Sequence, residues 1–252
     1  MLQEEILDYW TKRAPSYSDI NQKELHGRQK DKWTAFIKGR IEERLPGNTH
    51  IQVLDIGAGP GFFSIILTMA GYEVTAVDRN PTMIQEAKKN AGPLAEKIHY
   101  VEMDAEDLQF PENTFDVIVT RNLMWTLPHP EKAYGSWRHV LKEGGFLLNF
   151  DANWYHYLYD EEARRQYEAD RAQVASRGME DRYISTDIQT MEHIARQVPL
   201  SSVQRPEWDE QVLKKLGMKD ILLHRKVAEQ VLLEEEQVNF HATPYFCVES
   251  GK

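Results

Sequence analysis

Residues 53–80 concentrate the side chains best suited to holding a ligand. Asp55 precedes Gly57, Gly59 and Gly61, and a second carboxylate, Asp78, follows an apolar segment. Glycine admits positive φ and lets a ligand touch the main chain with no Cβ in between. A carboxylate closing the next strand can accept hydrogen bonds from both hydroxyls of a ribose, so a nucleoside-bearing ligand fits. Pyrophosphate chemistry fits poorly. The dinucleotide fingerprint is Gly-x-Gly-x-x-Gly, whereas here the spacing is Gly-x-Gly-x-Gly, with Phe62 in the third glycine's place. No Gly-Lys-Ser/Thr follows. Asp55 would oppose a diphosphate but can meet an ammonium group, directly or through water.

The elements that must position these residues read as an alternation. Residues 51–56 form a short apolar run, 62–70 an apolar helix and 73–77 a second strand. Asn80-Pro81 caps and starts the next helix. Residues 98–103, 115–120 and 146–150 read as further strands. A helix over 130–142 places Ala133, Trp137, Val140 and Leu141 on one face and ends at Gly144-Gly145. Strands separated by helices require a parallel sheet with right-handed crossovers, and ligands of such sheets bind at the strands' C-terminal edge. Residues 220–226 and 244–249 read as two late strands joined by a short connector, which favours an antiparallel pair at the sheet edge. The expected fold is therefore α/β: a Rossmann-like, doubly wound, seven-stranded sheet, mostly parallel with an antiparallel edge strand. Residues 1–46 read as helical, with Trp33, Phe36, Ile37, Ile41 and Leu45 at helical spacing. Pro15 is expected to divide a short first helix from a longer one. Residues 154–205, charged and aromatic, read as an insertion after the fifth strand.

The run Val53-Leu54-Asp55-Ile56-Gly57-Ala58-Gly59-Pro60-Gly61 resembles motif I of class I S-adenosylmethionine-dependent methyltransferases. The likeness continues through Asp78, the acidic loop 103–108, Phe115-Asp116-Val117-Ile118 and the stretch 140–145. Five motifs in order and register make it specific, and they suit the methyltransferase-11, UbiE-like small-molecule branch. The resemblance implies S-adenosyl-L-methionine as cofactor, S-adenosyl-L-homocysteine as its product, and a set of roles. Gly57, Gly59 and Gly61 would line the methionine and ribose portion, with Asp55 facing the ammonium. Asp78 would bind the ribose hydroxyls. Asp104 would accept from the adenine amino group, with Ala105 and Glu106 beside the ring and Arg79 and Met83 packed nearby. Arg121 and Asn122 would sit below the methionine end.

Methyl transfer from a sulfonium is an in-line displacement, for which alignment and a dry site supply most of the catalysis. A base is needed only where the nucleophile arrives protonated. The segment 9–18 resembles the aromatic lid of small-molecule methyltransferases, which places Tyr17 nearest the sulfonium or the carboxylate, and His26 follows as a candidate base. A second cluster after the fifth strand, Asp151, Trp154 and Tyr155, joined by Trp125, is the candidate acceptor site; aromatic faces enclose apolar groups and attract cations. Asp151 and His156 would be a metal pair only with further acidic ligands that the sequence does not supply, so no metal is expected. Residues 1–46 are then a helical lid and 47–252 the methyltransferase domain, with a lid insertion at about 154–205.

The chain has 252 residues and a formal charge of −10. That charge and the absence of an Asp/Asn-Pro-Pro-aromatic tetrad after the fourth strand speak against nucleic acid. A single cysteine, Cys247, excludes an intrachain disulfide. No apolar run approaches the ~18 residues of a membrane helix, and the N-terminus lacks a signal-peptide pattern, so a cytoplasmic enzyme acting on a small molecule is expected. A protein methyltransferase and a non-catalytic protein binding the cofactor or its product remain alternatives. The acceptor atom and the oligomeric state stay open.

Overall fold

A computed structural model describes residues 2–183 and 186–252. Seven strands form one sheet in the order β3-β2-β1-β4-β5-β7-β6. They are β1 (Gln52–Ile56), β2 (Glu73–Asp78), β3 (Ile98–Glu102), β4 (Phe115–Arg121), β5 (Leu141–Ala152), β6 (Lys219–His224) and β7 (Tyr245–Gly251). The first five are mutually parallel. β7 pairs antiparallel with β5 on one side and with β6 on the other. The reversed strand thus lies one place in from the rim, as part of the antiparallel pair expected at this edge. The chain steps outward from β1 to β2 and β3, then returns to β4 on β1's other side. That reversal opens a crevice at the C-terminal ends of β1, β2 and β4.

Side chains alternate across the sheet. Val53 packs into one core layer with Trp33, Phe63 and Phe150. Leu54 and Ile56 pack into the opposite layer with Trp137, Val140 and Leu213. The first layer is covered by α2 (Arg28–Arg44) and α3 (Phe62–Met69), and the second by α5 (Pro130–Val140) and α8 (Glu207–Lys215). Within α2, Trp33, Ile37 and Ile41 recur every fourth residue and are almost wholly buried, the stripe its periodicity predicts.

Three local expectations are corrected. Pro15 does not break the first helix: α1 runs unbroken over Leu2–His26. The proline ring is exposed, and polar contacts from the turns before and after it hold both halves in line, Thr11 to Asn80 and Ser18 to Asn90. The break falls at Gly27, which is extended and where a Cβ would sit 3.0 Å from the Lys23 carbonyl. The glycine pair 144–145 lies inside β5, which begins directly after α5. A Cβ on Gly145 would come within 2.7 Å of the Asp116 carbonyl, beside the register shift between Phe115 and Val117. The connector between β6 and β7 holds two short helices, α9 (Val227–Val231) and α10 (Glu234–Asn239).

Between β5 and α8 lie α6 (Glu161–Ser176) and α7 (Ile188–Ala195). They enclose a third apolar cluster that includes Tyr9 of α1, Trp125, Tyr155, Tyr157 and Ile194.

Candidate functional site

At the crevice a cavity holds about 1120 Å³ of empty space, its open mouth included. Its floor is the turn after β1. Gly57 and Gly59 line it, at φ of +67° and +52°. The Gly59 N–H donates to Asp78 Oδ2 at 2.8 Å, and the Asn80 N–H donates to Oδ1 at 2.8 Å. Each Asp78 oxygen therefore keeps one lone pair for a ligand. Burial raises the Asp78 carboxyl to about 6 against those two backbone bonds. Asp55, also on the cavity, accepts from the Ser64 hydroxyl at 2.6 Å, and burial raises it to about 7. Among the described residues neither carboxylate has an ion-pair partner within 4.0 Å. A buried and a half-buried acid without a counter-charge set an electrostatic demand for a cationic ligand.

One wall comes from α4 (Pro81–Ala91) and the loop after β3. Asn80 caps α4 through Thr82 and Met83, which puts the buried Met83 on the cavity. Asp104 and Ala105 line it as well. The Asp104 carboxylate orders its own loop through the Glu106 N–H at 2.9 Å and stands 3.4 Å from the Arg79 guanidinium. Glu106 reaches the cavity too, but its Oε1 is committed to the His129 N–H at 2.5 Å.

The opposite wall is the segment after β4. Arg121 lines the cavity, yet its guanidinium is held bidentately by Glu24 of α1 at 2.7 and 2.9 Å and lies over the Trp33 and Phe62 rings. Its charge is spent on locking α1 to the tip of β4. Three buried polar atoms in this region have no hydrogen-bond partner among the described residues: Arg121 Nε, Asn122 Oδ1 and Thr126 Oγ1. Such orphans are unusual in a native fold and call for an explanation such as an absent ligand.

α1 roofs the cavity with one face, on which Ile6, Trp10, Tyr17 and Asn21 follow at intervals of four, seven and four. The Trp10 and Tyr17 rings lie 5.7 Å apart. Tyr17 Cε1 would stand 3.7 Å from a Cβ on Gly59, directly above the glycine turn. Burial raises the Tyr17 hydroxyl, opposed mainly by the charge of Arg121.

Several sequence candidates lie elsewhere. His26 sits exposed in the last turn of α1, its Nδ1 2.8 Å from the Gln22 carbonyl, and does not line the cavity. Gly61 turns away from the cavity: its Cβ position would be 2.9 Å from Ala87 Cβ, so it lets α4 pack closely. Asp151, Trp125, Trp154 and Tyr155 are also absent from the lining. Asp151 is fully buried against Arg205. Trp125 and Tyr155 pack on each other at 5.1 Å, and Trp154 packs edge-on to Phe240. These rings anchor the segment after β5 to the body. His156 is turned to Ser201 and Gln204, and among the described residues no three His, Cys, Asp or Glu side chains gather as a metal set.

Sequence reasoning missed Ile6, Leu7, Glu24, Leu123 and Thr126, and named Trp10 only as part of the 9–18 lid segment. The helical spacing of Ile6, Trp10 and Tyr17 carried the signal for the roof, but a break expected at Pro15 obscured it. Glu24 is one of five acids in α1, and nothing in its neighbourhood of sequence singles it out.

The chain matches the family model described as a methyltransferase domain over residues 54–149. It is 33% identical over 110 residues to a ubiquinone biosynthesis O-methyltransferase of Coxiella burnetii, covering 43% of this chain and 47% of that one. It is 32% identical over 145 residues to a demethylmenaquinone methyltransferase of Leptospira interrogans, covering 56% of each. The chain spans about half the length of the curated relatives it matches. A Methanococcus maripaludis structure, described as a candidate S-adenosyl-L-methionine-dependent methyltransferase, shares the fold with a TM-score of 0.60 at 19% identity. It covers 96% of this chain and 93% of its own. With the motifs in register, the 3-2-1-4-5-7-6 sheet and the glycine turn facing Asp78, residues 54–149 are similar to a methyltransferase domain, and the chain has the fold of solved S-adenosyl-L-methionine-dependent methyltransferases.

Proposed function

We propose that this protein is a methyltransferase that binds S-adenosyl-L-methionine in the cavity between α1 and the tips of β1, β2 and β4 and methylates a small molecule. The observation that carries this reading is the pair of carboxylates beside the glycine turn, buried Asp55 and half-buried Asp78, which have no ion-pair partner among the described residues. A ligand with a ribose, an ammonium and a sulfonium meets that demand. Asp78 has lone pairs for the ribose hydroxyls, Asp55 faces the ammonium, and Asp104, Ala105 and Met83 offer the adenine wall. When bound, the cofactor supplies an electrophilic methyl group with a neutral thioether as its leaving group. The chain's own work is to bind, orient and exclude water. Gly57 and Gly59 bring the backbone close, Tyr17 covers the turn, and α1 acts as the lid.

Lining side chains that face the acceptor from α1 are mainly apolar, Ile6, Leu7 and Trp10 among them. The two cavity arginines stand against acids, Arg121 against Glu24 and Arg79 against Asp104. These features favour an uncharged, flat acceptor. Precursors of ubiquinone and menaquinone, the compounds named in the relatives, are the first to test. Incubation with methyl-labelled S-adenosyl-L-methionine and reduced demethylmenaquinone or a ubiquinone precursor is expected to label the acceptor and release S-adenosyl-L-homocysteine. Binding of the cofactor without transfer to any acceptor in a metabolite extract would favour a non-catalytic binding protein. Failure to bind the cofactor would remove the reading.

A further inference from the structure

The wall formed by residues 122–128 is held from beneath by atoms that never reach the cavity. Asn122 adopts φ +56°, and its N–H donates to the Phe150 carbonyl at 2.9 Å. The Trp125 N–H donates to Asp151 Oδ2 at 3.0 Å, and the Trp125 indole returns to the Asn122 carbonyl at 3.1 Å. Asp151 Oδ1 accepts from the Ala152 N–H and the Trp154 indole, both at 3.0 Å. What anchors this carboxylate is Arg205, whose guanidinium lies 2.5 Å from Oδ2. The other edge of the same guanidinium donates twice to Asp209 at 2.8 Å. Asp209 in turn accepts from the Tyr134 hydroxyl at 2.6 Å, which accepts from Asn149 at 2.7 Å. The Arg205 main chain is clasped on both sides by the Asn153 amide, at 3.0 and 2.8 Å.

Arg205, Asp151 and Asp209 are all buried. A buried ion network is a poor source of stability compared with apolar packing of the same volume. Its distinctive contribution is direction: a planar guanidinium holds two carboxylates at fixed angles, as an ammonium cannot. Here that direction ends in the cavity wall. Leu123, two residues before Trp125, stands so close to the glycine turn that a Cβ on Gly57 would meet its methyl carbons at 2.8 Å. The orphaned Asn122 Oδ1 and Thr126 Oγ1 belong to the same segment. A shift of a few tenths of an ångström in this segment therefore reaches the ligand floor.

We propose that Arg205 is a positioning residue for the ligand site: through Asp151 and the Trp125 N–H it fixes the 122–128 wall, and so governs affinity at a cavity it does not line. The proposal rests on the reading of that cavity as the donor site. It is tested with S-adenosyl-L-homocysteine by calorimetry and by amide hydrogen exchange. Arg205→Lys keeps the charge but not the fork. Its affinity is expected to fall about 5- to 20-fold, with exchange accelerated at 122–127 more than in β1 or α4. Asn153→Ala, which loosens the clasp without unpairing a charge, should shift both readouts the same way by a smaller factor. Arg40→Gln breaks the Arg40–Glu249 pair between α2 and β7. It should lower stability while leaving affinity within twofold. In combination with Leu123→Ala, the affinity losses of Arg205→Lys should fail to multiply. If Arg205→Lys folds, binds within twofold of wild type and keeps residues 122–127 protected, the proposal is overturned. If Arg205→Lys does not fold, Asn153→Ala decides by the same two readouts. Wild-type protein that does not bind the product overturns the donor-site reading and the proposal with it.

Discussion

Asp78 and Asp55 carry the sharpest consequences at the scale of single residues. Asp78→Ala removes two charge-assisted acceptors and should weaken S-adenosyl-L-homocysteine binding by roughly 1.5–3 kcal/mol; unchanged affinity by calorimetry would refute the ribose contact. The carboxyls of Asp55 and Asp78 are raised to about 7 and about 6 by burial. A cationic ligand favours their ionised forms, so binding must release protons between about pH 5 and 7. Affinity for the cofactor should therefore rise with pH through that window and level off above it. Titrations in buffers of different ionisation enthalpy measure the released protons, and no release at pH 6 would contradict the assignment. Tyr17→Phe should slow methyl transfer while holding cofactor affinity within a few-fold. His26→Ala should leave both unaffected, since that ring lies away from the cavity.

At the scale of elements, the glycine turn and the roof helix divide the work. Gly61 serves packing: its φ is +90°, and an added Cβ would stand 2.9 Å from Ala87 Cβ and 3.2 Å from Ala87 Cα in α4. Gly61→Ala should cost about 1–3 kcal/mol through strain and displacement of α4, measured as a lowered denaturation midpoint. α1 is attached differently from α2, which is seated by Trp33, Ile37 and Ile41 in the core. Polar latches fasten α1 over the cavity: Asn90 bridges Ser18, Gln22 and the Pro60 carbonyl at 2.7–3.1 Å, and Glu24 grips Arg121. Removing such bonds costs about 0.5–1.5 kcal/mol each. Asn90→Ala is expected to accelerate hydrogen exchange along α1 well before global stability falls. Product binding should reverse part of that acceleration. Equal exchange in variant and wild type would mean that the latch does not hold the helix.

Across the whole molecule, two pH windows oppose each other. Asp55 and Asp78 have folded pKa values above the ordinary carboxylate value, so their contribution to stability is complete below about pH 4 and is lost as pH rises toward 7. Glu249, buried and bonded to Arg40 and His224, is lowered to about 2. Its contribution is present above about pH 4.5 and is lost as pH falls toward 2. The thermal midpoint of the empty protein should thus sag on both sides of a mildly acidic optimum. Saturation with product should flatten the upper side alone, because it re-pairs Asp55 and Asp78 but leaves Glu249 untouched.

The sequence by itself determined a seven-stranded, mostly parallel sheet with an antiparallel pair at its edge, and the glycine turn with its two acids. Those depend on short-range patterns: alternating burial, a run of glycines before a helix, and a carboxylate at a strand end. Met83, Asp104 and Ala105, which line the cavity, came from the resemblance and not from any local pattern. Only the tertiary structure decided what the remaining candidates do. Asp151 and the rings of Trp125, Trp154 and Tyr155 stand at the ligand edge in sequence. Arg205, Tyr9 and Phe240 arrive from distant segments and take them into a buried anchor. Arg121 lines the cavity as expected, but that Glu24, ninety-seven positions away, pairs with its guanidinium is visible only in the fold. Partners brought together across such separations follow from how helices pack on the sheet, and no local spacing encodes that.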